Sequence, residues 1–550
     1  MAALTVLLGP DAAPHLREHA ALALRSIPPH AAAVAALTAL AAGGGFSGMI
    51  AEFTLEGWRR GTGSEGLLGG AAGDGPGPPL RPEPGTRPLT VAQLYLHADI
   101  DGTLAHAGQG DTGGIATLLV HLGDALLAEH GVVERVVTLS RGAGLPPATA
   151  LAEPGHHFLP VPLPGRHRNV AEAWPLRVVA RAGIRAQLEA AAPVDVLHLR
   201  MADVGSWAAA EVAADLGIPV VLTMAPDPHA QVAAREAAGD LTRATFGAAD
   251  HAEHLTFRIR LLRELAERAA HVVVFPRPNL EEDLRTLLGI DLEERPHRVS
   301  VVPEGIDLTP LLRAVAELAG GTPSPAAAAT LAGLDALLEA LPPARRALPL
   351  AITVGRLHPV KGMATLVAAW RGDPALRERC NLLVVGGELE DPSDEEAGQL
   401  ALIDAVVPRV EGPAAGLLLA GHRPNDTVAA WLAATRFGRP GLAAPGGVYV
   451  SASLKEEFGI AILEAMACGL VAVAPAAGGP ATYVDDGVAG VLADTSSAAE
   501  LARAVGAALD LSSGPGGREA AARAEATVRE RFGIGTMAAA LARVYREVAS

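Results

Sequence analysis

Two cations, Arg356 and Lys361, sit in the run Gly355-Arg356-Leu357-His358-Pro359-Val360-Lys361-Gly362, directly after an apolar stretch at 350–354. A strand ending there would project both from a loop. Two fixed cations on such a loop can neutralise a diphosphate leaving group, with the guanidinium binding it bidentately. Solvated loop charge is the plainer alternative, but cations are the minority here, 44 basic residues against 61 acidic. A second chemical signal is Glu456-Glu457-Phe458-Gly459-Ile460-Ala461-Ile462-Leu463-Glu464. A helix beginning near Phe458 leaves Glu456 in the preceding loop and carries Glu464 about two turns along. Acidic residues favour helix N-termini, which accounts for Glu456 or Glu457 but not for Glu464 in an otherwise apolar helix. Two carboxylates over this span suit hydroxyl recognition, one for a sugar ring and one for a ribose, with the amides of Phe458 and Gly459 open to a ligand.

Two glycine-rich turns accompany these signals. Gly108-Gln109-Gly110-Asp111-Thr112-Gly113-Gly114 follows a strand-like run and precedes a helical one, and Gly478-Gly479-Pro480 follows another strand. Glycines let a backbone approach a ligand closely, and a helix N-terminus offers unpaired N–H groups to an anion. Because 61 of the 550 residues are glycine, each turn alone is weak. Their position between strand and helix is what gives them weight.

These residues need elements to hold them. From Leu89 onward, short apolar runs at 91–97, 132–139, 158–161, 194–199, 219–224 and 271–275 alternate with helical candidates at 116–130, 207–215 and 255–270. That rhythm is the signature of βαβ units and a parallel, doubly wound sheet. A second series runs through 350–354, 381–385, 416–419, 448–450, 471–474 and 490–492. The expected fold class is therefore α/β, with two doubly wound (Rossmann-like) domains facing a cleft, since such sheets bind ligands beyond their carboxyl strand ends. The expected division is a helical extension and Gly/Pro-rich linker at 1–88, a first domain at 89–309, a linking or inserted segment at 310–347, a second domain at 348–533, and a last helix at 534–550 returning to the first domain.

Composition narrows the partners. A formal charge of -17 and 3% aromatic residues argue against nucleic acid, which needs cations for phosphates and rings for bases. Cys380 and Cys468 are the only cysteines and give neither a disulfide framework nor zinc spacing. The histidines show no ligand spacing, so no metal is expected. No run reaches the roughly 18 apolar residues of a membrane span, and the first residues lack a signal peptide's order. A cytoplasmic protein without membrane contact is the expectation, with room for a homo-oligomer.

The motifs, in this order and spacing, resemble the retaining glycosyltransferases of the GT-B architecture (glycosyltransferase family 4 type), and within them the sucrose synthase and sucrose-phosphate synthase group. Asp111-Thr112-Gly113-Gly114 matches the family's D-T-G-G loop, Gly355-Arg356 through Lys361 its S-R-x-D-x-x-K-N loop, Glu456 through Glu464 its E-P-F-G-x4-E motif with Glu457 for proline, and Gly478-Gly479-Pro480 its G-G-P loop. Val301-Val302-Pro303-Glu304-Gly305 resembles the V-I-P-P-G segment. The resemblance covers about residues 90 to 545. It implies catalysis through Arg356, Lys361 and Glu456, and donor contacts at Gly113, Gly114, Gly355, Phe458, Gly459, Glu464 and Gly479. Asp111, Thr112 and Arg200 would lie on the acceptor side. The co-substrate would be a nucleoside-diphosphate sugar of glucose type, with no further cofactor, and the acceptor a small hydroxylated molecule, with or without a phosphate. Two departures fall on the acceptor half: Arg200 and Ala225 each stand where the group has histidine. They set sucrose-type chemistry against two rivals. One is a specialised-metabolism enzyme joining an aminosugar or cyclitol unit to a phosphorylated or nucleotide-linked acceptor. The other is a catalytically silent, transferase-like binding domain.

Overall fold

A computed structural model describes residues 2–25, 27–64, 87–102, 113–129, 131–142, 153–163, 171–225, 227–237, 239, 241–291, 298–321, 323–454 and 456–550. Asp111 and Thr112 lie outside these residues. Two parallel sheets organise the chain. The first holds β1 (Leu89–Tyr95), β2 (Val133–Arg141), β3 (Gly155–Val161), β4 (Val196–Arg200), β5 (Val220–Thr223), β6 (His271–Val274) and β7 (Val299–Val301), in the order β3-β2-β1-β4-β5-β6-β7. The second holds β8 (Leu350–Val354), β9 (Asn381–Val385), β10 (Leu417–Gly421), β11 (Val448–Val450), β12 (Val471–Pro475) and β13 (Gly490–Ala493), in the order β10-β9-β8-β11-β12-β13. Every neighbouring pair is parallel.

The strands form where they do because helices cover both faces of each sheet. All five residues of β4, β9 and β12 are buried, so continuous apolar runs rather than alternation mark them. Both strand orders reverse once, between β1 and β4 and between β8 and β11. Crevices for ligands open at such reversals, beyond the carboxyl strand ends.

The first 64 residues are more than an appendage. Helices Pro14–Arg25, Ala31–Ala42 and Gly45–Ser64 bury Leu24, Leu37, Ile50 and Phe53 in the core of the first domain. Phe53 stands edge-on to Trp207 and Phe257, at 5.1 Å from each. Arg177, 7% exposed, joins Glu52 and Glu56 of this unit to Glu211 of the sheet's own helix Val204–Leu216.

The 310–347 segment also departs from a free linker. Helices Thr309–Ala319 and Pro325–Glu339 bury Leu311, Leu331, Leu334 and Leu338 in the core of the second domain. The chain crosses between domains at 303–308 and again at 532–534. These crossings pair with each other: Ile306 N–H donates to Phe532 O at 2.8 Å, and Ile534 N–H to Ile306 O at 2.9 Å. The closing helix Ile534–Ala549 packs on the first sheet, where the Tyr545 hydroxyl lies 2.6 Å from His198 Nδ1. Any hinge motion must therefore pass through the paired crossings rather than through 310–347. No described helix is long and apolar enough to cross a membrane.

Candidate active site

The cation loop and the carboxylate loop leave the two strands at which the second sheet reverses, β8 and β11. Backbone contacts fasten them together. Leu454 N–H donates to Val360 O at 2.8 Å. Gly362, at φ +64, ends the first loop so close to the second that an added Cβ would lie 2.0 Å from Ala452 O. Only glycine fits both the dihedral and the gap. The consequence is that Lys361 Nζ reaches the two Glu456 carboxylate oxygens at 2.9 and 3.2 Å, across 95 residues of sequence. The pair is partly open, with side chains 31% and 14% exposed. Arg356 is half-buried on the same loop.

Phe458 anchors the carboxylate loop. It is buried, its ring lies 5.4 Å from both Tyr483 and Phe532, and the Tyr483 hydroxyl donates to its carbonyl at 2.6 Å. The Gly478-Gly479 turn buttresses the loop from behind. Gly478, at φ +77, has room for no Cβ, which would lie 2.2 Å from Glu456 O. The Gly479 N–H donates to Glu457 O at 3.0 Å, so that amide is engaged by the protein. Helix Ile460–Ala467 then carries Glu464. Burial pushes the Glu464 carboxyl up to about 7, and it has no ion-pair or hydrogen-bond partner among the described residues. A half-buried carboxyl with unused acceptor capacity is suited to hydroxyl groups of a ligand.

The first domain supplies the facing wall. Helix Gly113–Ala128 starts at the glycine pair itself, and a Cβ on Gly114 would sit 3.3 Å from Ile460 Cδ1. The N-termini of helices Gly113–Ala128 and Ile460–Ala467 thus meet across the cleft. Asn425 Nδ2 donates to Thr117 Oγ1 at 3.4 Å along the same seam. Arg200, at the end of β4, is buried, and its Nη2 has no hydrogen-bond partner. Burial lowers its pKa from the usual guanidinium value, while Glu304 nearby opposes that shift. Beside it, His97 Nε2 lies 2.7 Å from the Asp203 carboxylate, which also caps helix Val204–Leu216. The buried Asp227 donates its N–H to Glu457 Oε1 at 2.8 Å and accepts from Arg277 at 3.1 Å. Ala225 packs against the core of the second domain.

Glu304 is the residue that sequence reasoning passed over. It is buried in the crossing after β7, within electrostatic reach of Arg200, Glu456, Glu457 and Lys361. Burial pushes its carboxyl up to about 7. The available signal was an acid in a segment where the resembling family has proline. Among the described residues, no group of three or more His, Cys, Asp or Glu is placed to hold a metal ion.

Comparison with known proteins gives matching results for each half. The family described as "Glycosyl transferase 4-like domain" matches residues 113–305, and "Glycosyl transferases group 1" matches 348–510. A D-inositol 3-phosphate glycosyltransferase of Xylanimonas cellulosilytica is 30% identical over 481 residues, covering 84% of this chain and 98% of its own. Among solved structures, sucrose-phosphate synthase from Thermosynechococcus elongatus superimposes with a TM-score of 0.61 at 20% identity, over 83% of this chain and 98% of that one. The Anabaena protein HepE in complex with UDP-glucose gives 0.53 at 18% identity, over 83% and 98%.

Proposed function

The chain belongs to the group 1, family-4-like glycosyltransferases of GT-B fold, and from that premise we propose that it moves a glucose-type sugar from a nucleoside-diphosphate donor, with retention, to a hydroxyl of a small phosphorylated cyclitol or a related polyol. The observation that carries the donor half is the Lys361–Glu456 pair beside Arg356 at the reversal of the second sheet. Arg356 and Lys361 hold the diphosphate and stabilise it as it leaves. Glu456 accepts from hydroxyls of the sugar, and Glu464 from the ribose. Gly113 and Gly114 bring a helix N-terminus towards the reacting groups.

In the transfer step the bond between the sugar's anomeric carbon and the phosphate oxygen breaks. The acceptor oxygen bonds that carbon on the same face, its proton passes to the departing phosphate, and the nucleoside diphosphate leaves. The protein's part is positioning and leaving-group stabilisation, with two cations serving in place of a metal.

The named relative acts on D-inositol 3-phosphate, and a buried cation with an unpaired Nη2 on the first-domain wall, Arg200, favours an anionic acceptor here too. Fructose, the acceptor that sucrose chemistry would require, has less support because both departures from the sucrose group, Arg200 and Ala225, lie on this wall. The test is turnover with UDP-, ADP- and GDP-glucose and UDP-N-acetylglucosamine, each offered D-inositol 3-phosphate, myo-inositol or fructose. Product configuration is then read by NMR. An α-linked product from an α-linked donor, made fastest with the phosphorylated cyclitol, is expected. An inverted product would refute retention, and preference for fructose would refute the acceptor assignment. Binding of every donor without transfer or hydrolysis would favour a silent domain.

A further inference from the structure

Glu304 does no work in the steps above, yet it is 8% exposed and no described residue hydrogen-bonds its carboxyl. It lies where four other charged side chains from both domains converge. Arg200 approaches from the end of β4, with Tyr545 of the closing helix behind it. Lys361, Glu456 and Glu457 approach from the loops after β8 and β11, and Tyr483 feels Glu304 from behind the carboxylate loop. Arg200 Nη2 is buried without a hydrogen-bond partner. Glu457 cannot swing away to relieve the crowding, because the Asp227 N–H holds it at 2.8 Å.

Arg200 and Lys361 are the cations that offset this set of carboxylates, and Lys361 rests 2.9 Å from Glu456. A donor diphosphate that takes Lys361, as the donor-site reading requires, leaves Glu456 without its cation and adds two negative phosphates nearby. Like charges in a buried site cannot all remain ionised. We propose that Glu304 is the charge-compensating residue of the donor site, taking one proton from solvent as a nucleotide sugar binds and holding it beside Arg200 and the two loops. No covalent bond of the substrate changes in this step: a carboxylate and a proton become a carboxylic acid. Burial, which already pushes the Glu304 carboxyl up to about 7, lets the exchange occur near neutral pH. Once neutral, the carboxyl can also donate a hydrogen bond to a substrate oxygen.

UDP-glucose is the suitable probe because both its phosphates are esterified. Free UDP carries a terminal phosphate that itself titrates near about 6 and would obscure the count. Calorimetry between pH 6.5 and 8.5, in two buffers of different ionisation enthalpy, reads protons taken up on binding. Glu304 binds its proton more tightly in the complex, so affinity falls as pH rises. The expected loss for the wild type is roughly five- to tenfold across that range, with at least half of it absent in Glu304→Gln. Glu464 works in the opposite sense, since ribose hydroxyls favour its charged form and release a proton, but it contributes equally to both proteins. The difference between them therefore isolates Glu304. Glu304→Asp, which keeps a carboxyl, should retain the uptake. Infrared difference spectra on binding should show a gained protonated-carboxyl band in the wild type that is missing from Glu304→Gln, the Glu464 change being common to both. Equal proton counts and pH slopes for wild type and Glu304→Gln, or identical carboxyl difference bands in the two, would overturn the proposal. Failure of UDP-, ADP- and GDP-glucose alike to bind is a different result: it removes the donor-site reading first, and this inference with it.

Discussion

Lys361→Ala and Arg356→Ala each lower kcat by about 10²–10³ with a melting temperature close to that of the unaltered protein. Both side chains lie on a partly open cleft loop rather than in a core, so their removal leaves the packing of β8 and β11 intact. Removing one preorganised contact to a developing charge typically costs about 2.7–4 kcal/mol of transition-state stabilisation. Lys361→Ala also frees Glu456 from the cation that lies 2.9 Å from it, which adds repulsion against the incoming diphosphate. Its KM for the donor should therefore rise along with the fall in kcat. Steady-state kinetics with the best donor checks both parameters. Full activity in either variant would remove the diphosphate assignment.

Deleting residues 1–64 abolishes soluble folding rather than trimming an accessory. The deletion uncovers Trp174, Trp207 and Phe257, which are 0%, 2% and 2% exposed in the full chain. It also strips Arg177 of Glu52 and Glu56. A large contiguous apolar patch is rarely left open on a soluble protein, and Arg177 keeps only Glu211 of these three carboxylates. Sedimentation of the truncated chain and binding of a hydrophobic dye provide the check. A soluble, monodisperse fragment that melts with the full chain's temperature would show that the helices are dispensable.

The parallel strands were legible because burial on both faces writes them as continuous Val/Leu/Ile runs: β8, β9 and β11 fall where the sequence places them. β3 begins three residues earlier than its apolar run because Gly155, His156 and His157 pair in register with Arg135, Val136 and Val137, a tertiary demand that composition does not express. Helix Gly113–Ala128 starts earlier than expected because its opening glycines are poor helix formers held by the fold. At the site, Lys361 and Glu456 were each readable from their strand-end loops, but their contact depends on the Leu454–Val360 hydrogen bond and on Gly362. Glu304 was out of reach for the same reason. Its meaning comes from Arg200 and from loops of the other domain, none of them near it in sequence. The packing of Phe53 on Trp207 is likewise a long-range fact, which is why helical periodicity at the N-terminus revealed helices but not their role.

On the proposed function, a nucleoside diphosphate binds where the β8 and β11 loops meet. Hydrogen exchange of the full chain with and without UDP tests it most directly. UDP should slow exchange in residues 355–362 and 456–464 together, with the same concentration dependence, because one ligand spans both loops. Protection confined to Gly478-Gly479, or none anywhere in the second domain, would contradict it.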